Sequence, residues 1–316
     1  MMKKIIALLL GLSGIPVSHA LLPENAKPVK IGVCKAIEHE ALNSVVAGME
    51  GYFKQQKINY QLSVETCQGN MALGSQAIAK FVNSGFNIIV TVGTLPTQCA
   101  YSVAKSGKAK VIFGSVTNPK DISVNIASVS ITGISNFVDL EPQIKMFQDI
   151  QPSLKTLGIL YNTGEANSLS IVRELRDMCA KNNLKLIEQG VYKVSDIPQA
   201  CEKLSASVDA IFISNDNLAL SCIGNIVKVC TAKKIPVYVS DTDQVKNGCV
   251  AALGPNQYNI GVQVGKIVER IAAGEDNIPI QYPETVELRI NLKAAKASGV
   301  TIPDTILSRA KEIIRE

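Results

Sequence analysis

From Val29 onward, short apolar runs alternate with stretches whose apolar residues recur every three or four positions. Val29 to Ile37 is mostly apolar and short, which predicts a buried parallel strand. After Glu38-His-Glu40, residues Leu42, Val45, Val46, Met49 and Phe53 share one helical face, predicting a helix from about Ala41 to Gln56. Further strands are predicted at Tyr60 to Thr66, Asn87 to Val92, Lys110 to Phe113 and Ser128 to Ser135. Helices are predicted from Ala72 to Asn83 and from near Thr97, after a break at Gly93-Thr-Leu-Pro96.

The pattern then restarts. Leu157 to Tyr161, Lys185 to Val191, Ala210 to Ile213, Ile235 to Val239 and Val250 to Gly254 read as strands. Ser168 to Asn182, Ser195 to Ser205, Ala219 to Ala232 and Tyr258 to Ala273 read as helices. Leu157-Gly158 lies 126 residues after Ile31-Gly32, and Glu165 and Leu169 lie 127 after Glu38 and Leu42. Asp216 follows Thr94 by 122, and Ser240-Asp-Thr-Asp243 follows Ser115-Val-Thr-Asn118 by 125. Near-constant offsets across separate loops mean duplication. The fold expected is α/β, with two similar doubly wound parallel-sheet lobes. A late strand is predicted at Glu287 to Ile290, and a final helix after Ile302-Pro-Asp304 with Asp304 as its N-cap.

Composition adds three constraints. The chain has 316 residues, 47% apolar and 19% charged, enough for two cores. The formal charge of +5 is scattered among acidic residues with no basic block, so nucleic acid is a poor partner. Residues 1–20 have Lys3 and Lys4, an apolar run from Ile5 to Ile15, and Ser18-His-Ala20, the layout of a secretory signal peptide cleaved after about Ala20. The apolar run is shorter than a membrane span needs, and no Cys follows it for lipid attachment. Eight Cys follow the leader, none in CxxC spacing, and Cys34 and Cys67, near the ends of the first two strands, are candidate disulfide partners. His39 is the one histidine after the leader, so a Cys/His metal site or a Ser-His-Asp triad has little material. There is no GxSxG, P-loop or GxGxxG; no enzyme activity, cofactor or metal is expected.

Ligands of an open parallel sheet sit beyond the carboxyl ends of its strands. Here those ends supply Glu38, His39, Thr94, Ser115, Thr117, Asn162, Glu165, Asn167, Ser168, Asp216, Asn217 and Asp241 as candidate ligand-binding residues. They carry hydroxyls, amides and carboxylates, most of them just before a helix. Free N–H groups at helix N-termini suit an anion, and Asp216 and Asp241 suit an ammonium group. An amino acid presents both. Ser, Thr, Asn and Asp are also ordinary helix caps, so a capping role stands beside ligand contact at each position. Tyr161 and Tyr258 read as packing aromatics.

Several strings are specific: Glu38-His-Glu-Ala-Leu42, Gly114-Ser-Val-Thr-Asn-Pro119, Leu160-Tyr-Asn-Thr-Gly-Glu-Ala-Asn-Ser168, Asp216-Asn217, Ser240-Asp-Thr-Asp243 and Ile290-Asn-Leu-Lys-Ala-Ala-Lys296. With the leader and the duplication, they resemble the ABC transporter substrate-binding protein family that includes the tryptophan-binding TrpX-like proteins. The likeness extends over essentially the whole chain after the leader. It implies a periplasmic-binding-protein type I fold, a monomer in the periplasm, and hinge closure on a small ligand, mostly an aromatic amino acid, for delivery to an ABC permease. The chain departs from the family in having Glu40 where Pro is common, Asn70 where Asp is common, and many Cys. The expected division is 28–136 with about 257–280 as one lobe and 137–256 as the other. Residues 281–316 would then form a hinge crossing and a tail of unassigned lobe. A ligand-sensing receptor subunit of the same fold and a sugar-binding protein are the alternatives. The absence of Trp and the 5% aromatic content weigh against sugar.

Overall fold

The computed structural model describes residues 27–122 and 131–315. The leader, and Ser128 to Ser130 of one predicted strand, lie outside them.

Strands β1 (Val29–Lys35), β2 (Tyr60–Thr66), β3 (Ile88–Val92), β4 (Lys110–Val116) and β5 (Ile131–Ser135) pair in parallel in the order β2-β1-β3-β4-β5. Strands β6 (Thr156–Asn162), β7 (Lys185–Val191), β8 (Ala210–Ile213), β9 (Val237–Val239) and β10 (Ala251–Gly254) repeat that order as β7-β6-β8-β9-β10. The second sheet is extended by β11 (Glu287–Asn291), antiparallel to β10, and by β12 (Glu312–Ile314), parallel to β11. Duplication in sequence is therefore duplication of topology, and the tail joins the second sheet.

Each sheet is covered on both faces, which is why its inner strands are continuously apolar rather than alternating. On the first sheet, α1 (Glu40–Gln55) packs Val45, Met49 and Phe53 with Ile31, Val33 and Val90. The opposite face holds α2 (Met71–Asn83) and α3 (Thr94–Lys105), with Ile78, Phe81 and Ala100 against Ile89, Val111 and Phe113. On the second sheet, α4 (Leu140–Ile150) and α5 (Ala166–Lys181) bury Phe147 and Leu175 with Ile159, Phe212 and Tyr238. Across that sheet, α6 (Ile197–Ser205), α7 (Asn217–Ser221) and α8 (Ile223–Ala232) bury Leu204, Leu220 and Ile226 with Ile211 and Val239. Chain order is broken once: α9 (Gln257–Ala272) follows a strand of the second sheet yet packs Ile260, Val264 and Ile267 on the first, beside α1. The chain thus passes between the sheets after Ser135 and after Gly254. It passes a third time after Gln281, whose backbone still pairs with Gly133 and Ser135.

The structure departs from the expected elements in several places. α3 begins at Thr94, not Thr97, because Pro96 falls in a first turn where a missing N–H costs no helical bond. α5 begins at Ala166, which moves Asn167 and Ser168 inside its first turn. The helix expected over Ala219 to Ala232 is two pieces, broken where Cys222 leaves helical geometry (φ −115°, ψ 15°). After α10 (Leu292–Ala297), Asp304 is the first residue of α11 (Asp304–Leu307) rather than its cap, and β12 follows it. All eight Cys are buried free thiols, Cys34 and Cys67 included. The Cys67 thiol instead donates to the carbonyl of Ala36 at 3.1 Å.

Candidate ligand-binding site

A small cavity lies where the strand ends of the two sheets meet. Its wall takes His39, Ala41 and Leu42 from the start of α1, Gly93 and Thr94 from α3, and Ser115 and Thr117 from the end of β4. Asn136 comes from the first crossing, Asn167 from α5, Asn215, Asn217 and Leu220 from the α7 region, Asp241 from the loop after β9, and Gln257 from α9.

Helix starts dominate this wall, so partial positive charge and free backbone N–H groups gather around it. Gly93 enters α3 at φ +102°, a conformation open to glycine. Ser115 sits at φ +55° where the pairing of β4 with β5 slips between Gly114 and Val116. This bulge turns its hydroxyl to Gln257, to whose Oε1 it donates at 2.6 Å.

Among the described residues, Asp241 is the one carboxylate lining the wall, and no Lys or Arg lines it. Its side chain is fully buried and accepts from the N–H of Asp243 at 3.0 Å and from Gln244 Nε2 at 3.3 Å. Burial, with Asp243 close by, pushes its carboxyl up to about 7. Three wall side chains carry a buried polar atom with no partner among the described residues: His39 Nδ1, Thr94 Oγ1 and Asn136 Oδ1. Orphaned buried polar atoms are rare in native proteins and cost free energy wherever nothing answers them. Burial also holds the His39 imidazole below its usual range, against the pull of Glu165 and Glu38.

Seven of the expected site residues line this cavity: His39, Thr94, Ser115, Thr117, Asn167, Asn217 and Asp241. The other five lie outside the wall. Glu38 points outward in an ion pair with Lys35 at 2.7 Å, which lowers its carboxyl pKa. Asp216 is fully buried behind the wall, accepting from the N–H groups of Asn162 (2.6 Å) and Ala219 (2.8 Å) and from the Ser168 hydroxyl (2.7 Å). Glu165 is occupied by the start of α7, and Asn162 by Glu165 and the N–H of Gly164. The wall also takes Ala41, Leu42, Gly93, Asn136, Asn215, Leu220 and Gln257, which were not among the candidate residues. Asn136 and Gln257 flank the first two of the three crossings, a signal legible in the sequence.

Comparison with known proteins decides the family. The model of the ABC transporter substrate binding protein family matches residues 30–314. The chain belongs to that family. A tyrosine-binding protein of Clostridioides difficile is 26% identical over 286 residues, covering 87% of this chain and 82% of the relative. A conserved domain protein from Vibrio cholerae superposes with a TM-score of 0.86 at 29% identity, over 91% of this chain and all (100%) of the other. A Streptococcus pneumoniae domain solved in complex with L-Trp gives 0.85 at 24% identity, with coverage of 91% and 100%. This substrate-binding protein has the type I periplasmic-binding-protein architecture of two parallel sheets with a cleft between them. Among the described residues no helix is long and apolar enough to cross a membrane.

Proposed function

We propose that this protein is the exported binding component of an ABC importer and holds an amino acid, most readily an aromatic one, in the cavity between its lobes. The observation that carries the reading is Asp241. It is a buried carboxylate with no cationic partner among the described residues, in the same wall as unanswered polar atoms. An α-ammonium group answers Asp241, and a charge-assisted bond of this kind is worth about 1.5–3 kcal/mol. The α-carboxylate goes to the helix starts, where Thr94 holds a free hydroxyl at the head of α3. Ala41, Leu42 and Leu220 offer an apolar patch for the side chain. Among the described residues, no aromatic side chain lines the wall to stack a sugar ring, which favours an amino acid over a sugar. Relatives that bind tyrosine and L-Trp support the aromatic class.

The mechanism is closure of two rigid lobes, not chemistry. Several contacts bridge them directly: His39 to Asn217 at 3.3 Å, Asn118 to Ser170 at 3.0 Å, and an ion pair of Lys246 with Glu40. A ligand that touches both lobes adds to these contacts only in the closed form, and so shifts the population toward it.

Thermal unfolding against the twenty amino acids, with common sugars alongside, tests this reading. A ligand at a hundred times its Kd adds about 2.7 kcal/mol and raises the midpoint by several degrees. A rise with Trp, Tyr or Phe is expected; a rise with sugars alone would overturn it.

A further inference from the structure

Glu165 stands outside the cavity wall, yet it governs a group inside it. Its Oε2 accepts from the backbone N–H of Asn217 at 3.1 Å, and its Oε1 from that of Leu218 at 3.1 Å. The side-chain amides of Asn162 (3.0 Å), Asn167 (3.1 Å) and Asn217 (2.6 Å) meet the same carboxylate. A carboxylate filled by backbone donors only accepts, so each amide must turn its NH2 toward it. Asn162 provides an independent check: its Oδ1 accepts from the N–H of Gly164 at 2.9 Å, which places its nitrogen on Glu165.

The same logic fixes Asn217. With Nδ2 committed to Glu165, its Oδ1 faces His39 Nε2 at 3.3 Å and can only accept. The hydrogen of a neutral imidazole must then sit on Nε2, leaving Nδ1 with a bare lone pair. His39 Nδ1 is buried without a partner among the described residues, and His39 lines the cavity. His39 precedes α1 but makes no side-chain capping bond, so local structure makes no claim on its ring.

We propose that Glu165 is a positioning residue that, through Asn217, holds His39 in the Nε2–H tautomer, so that Nδ1 accepts a hydrogen bond from the ligand. This rests on the reading of the cavity as the ligand site, and it narrows the ligand class. Asp241 and His39 Nδ1 are both acceptors, so the ligand must bring at least two N–H or O–H donors. A primary ammonium does so; a fully N-methylated one cannot. The relay begins in the second lobe and ends on a residue of the first, so it is assembled only when the lobes meet.

The test is nitrogen NMR of the full chain labelled with 15N-histidine, with His39→Gln identifying the signals of His39. Spectra are taken with saturating L-tryptophan and without it, beside calorimetric titration of the same samples. We expect the proton on Nε2 and a change at Nδ1 when L-tryptophan binds. In Glu165→Gln the new amide can donate to Asn217, its side chain can turn over, and the Nδ1–H form should appear. L-tryptophan affinity should fall about 3–10-fold, the loss of one hydrogen bond. A proton on Nδ1 in the wild type, or an unchanged tautomer in Glu165→Gln, would overturn the proposal. If L-tryptophan gives no heat, the amino-acid reading fails instead. The ligand-free spectra of wild type and Glu165→Gln then decide the tautomer by the same two criteria.

Discussion

The hydroxyl of Ser168 donates to Asp216 Oδ2 at 2.7 Å inside the second lobe, tying the first turn of α5 to the loop that opens α7. Asp216 also accepts the N–H groups of Asn162 and Ala219. These are loop-holding bonds, so Asp216→Ala strands several buried donors at once. It should cost about 2–4 kcal/mol in urea unfolding, and Ser168→Ala about 1 kcal/mol. Both variants should keep one ligand site per chain by calorimetry, because neither residue lines the cavity.

Helices α1 and α9 touch backbone to backbone. A Cβ on Gly261 would stand 2.0 Å from the Val45 carbonyl oxygen, and one on Gly48 would stand 1.9 Å from that of Tyr258. The obstruction is main chain, which cannot turn aside. Gly261→Ala should therefore destabilise the protein by about 2–4 kcal/mol despite the better helix propensity of alanine. A thermal midpoint equal to wild type would contradict this packing.

Asp241 sets a pH dependence whose sign can be worked out. Its carboxyl is raised from 3.8 to about 7 in the fold, so the folded state holds the proton more tightly than the unfolded chain. The stability it contributes is complete below about pH 4 and lost as pH rises through about 7. Asp241→Asn removes that loss. Without ligand, the variant should gain on wild type between pH 5 and pH 8 in urea unfolding. Ligand affinity should run the other way in the wild type, rising with pH as Asp241 ionises.

The sequence carried the fold further than the site. Fixed offsets such as Glu38 to Glu165 exposed the duplication, because equal topology puts equal loops at equal chain distances. The same equivalence misled on chemistry. Glu38 and Glu165 fill matching loops, yet Glu38 pairs with Lys35 at the surface and Glu165 is taken by the start of α7. Asp216 and Asp241 were alike on paper, and only packing separates a carboxylate behind the wall from one in it. Leu42 reads as a core residue because helical periodicity does not tell an inner face from a cleft. β12 was missed because Glu312–Ile314 is too short to show alternation, and pairing with β11 makes it a strand.

The most direct test of amino-acid recognition is a calorimetric titration at pH 8 with L-tryptophan, L-tyrosine and indole-3-propionate, the tryptophan analogue that lacks the ammonium group. Binding of an amino acid is expected, with affinity lower by about 10–100-fold in Asp241→Asn and for the analogue. Equal affinity for L-tryptophan and indole-3-propionate would contradict the account, because the buried carboxylate of Asp241 would then have no part in holding the ligand.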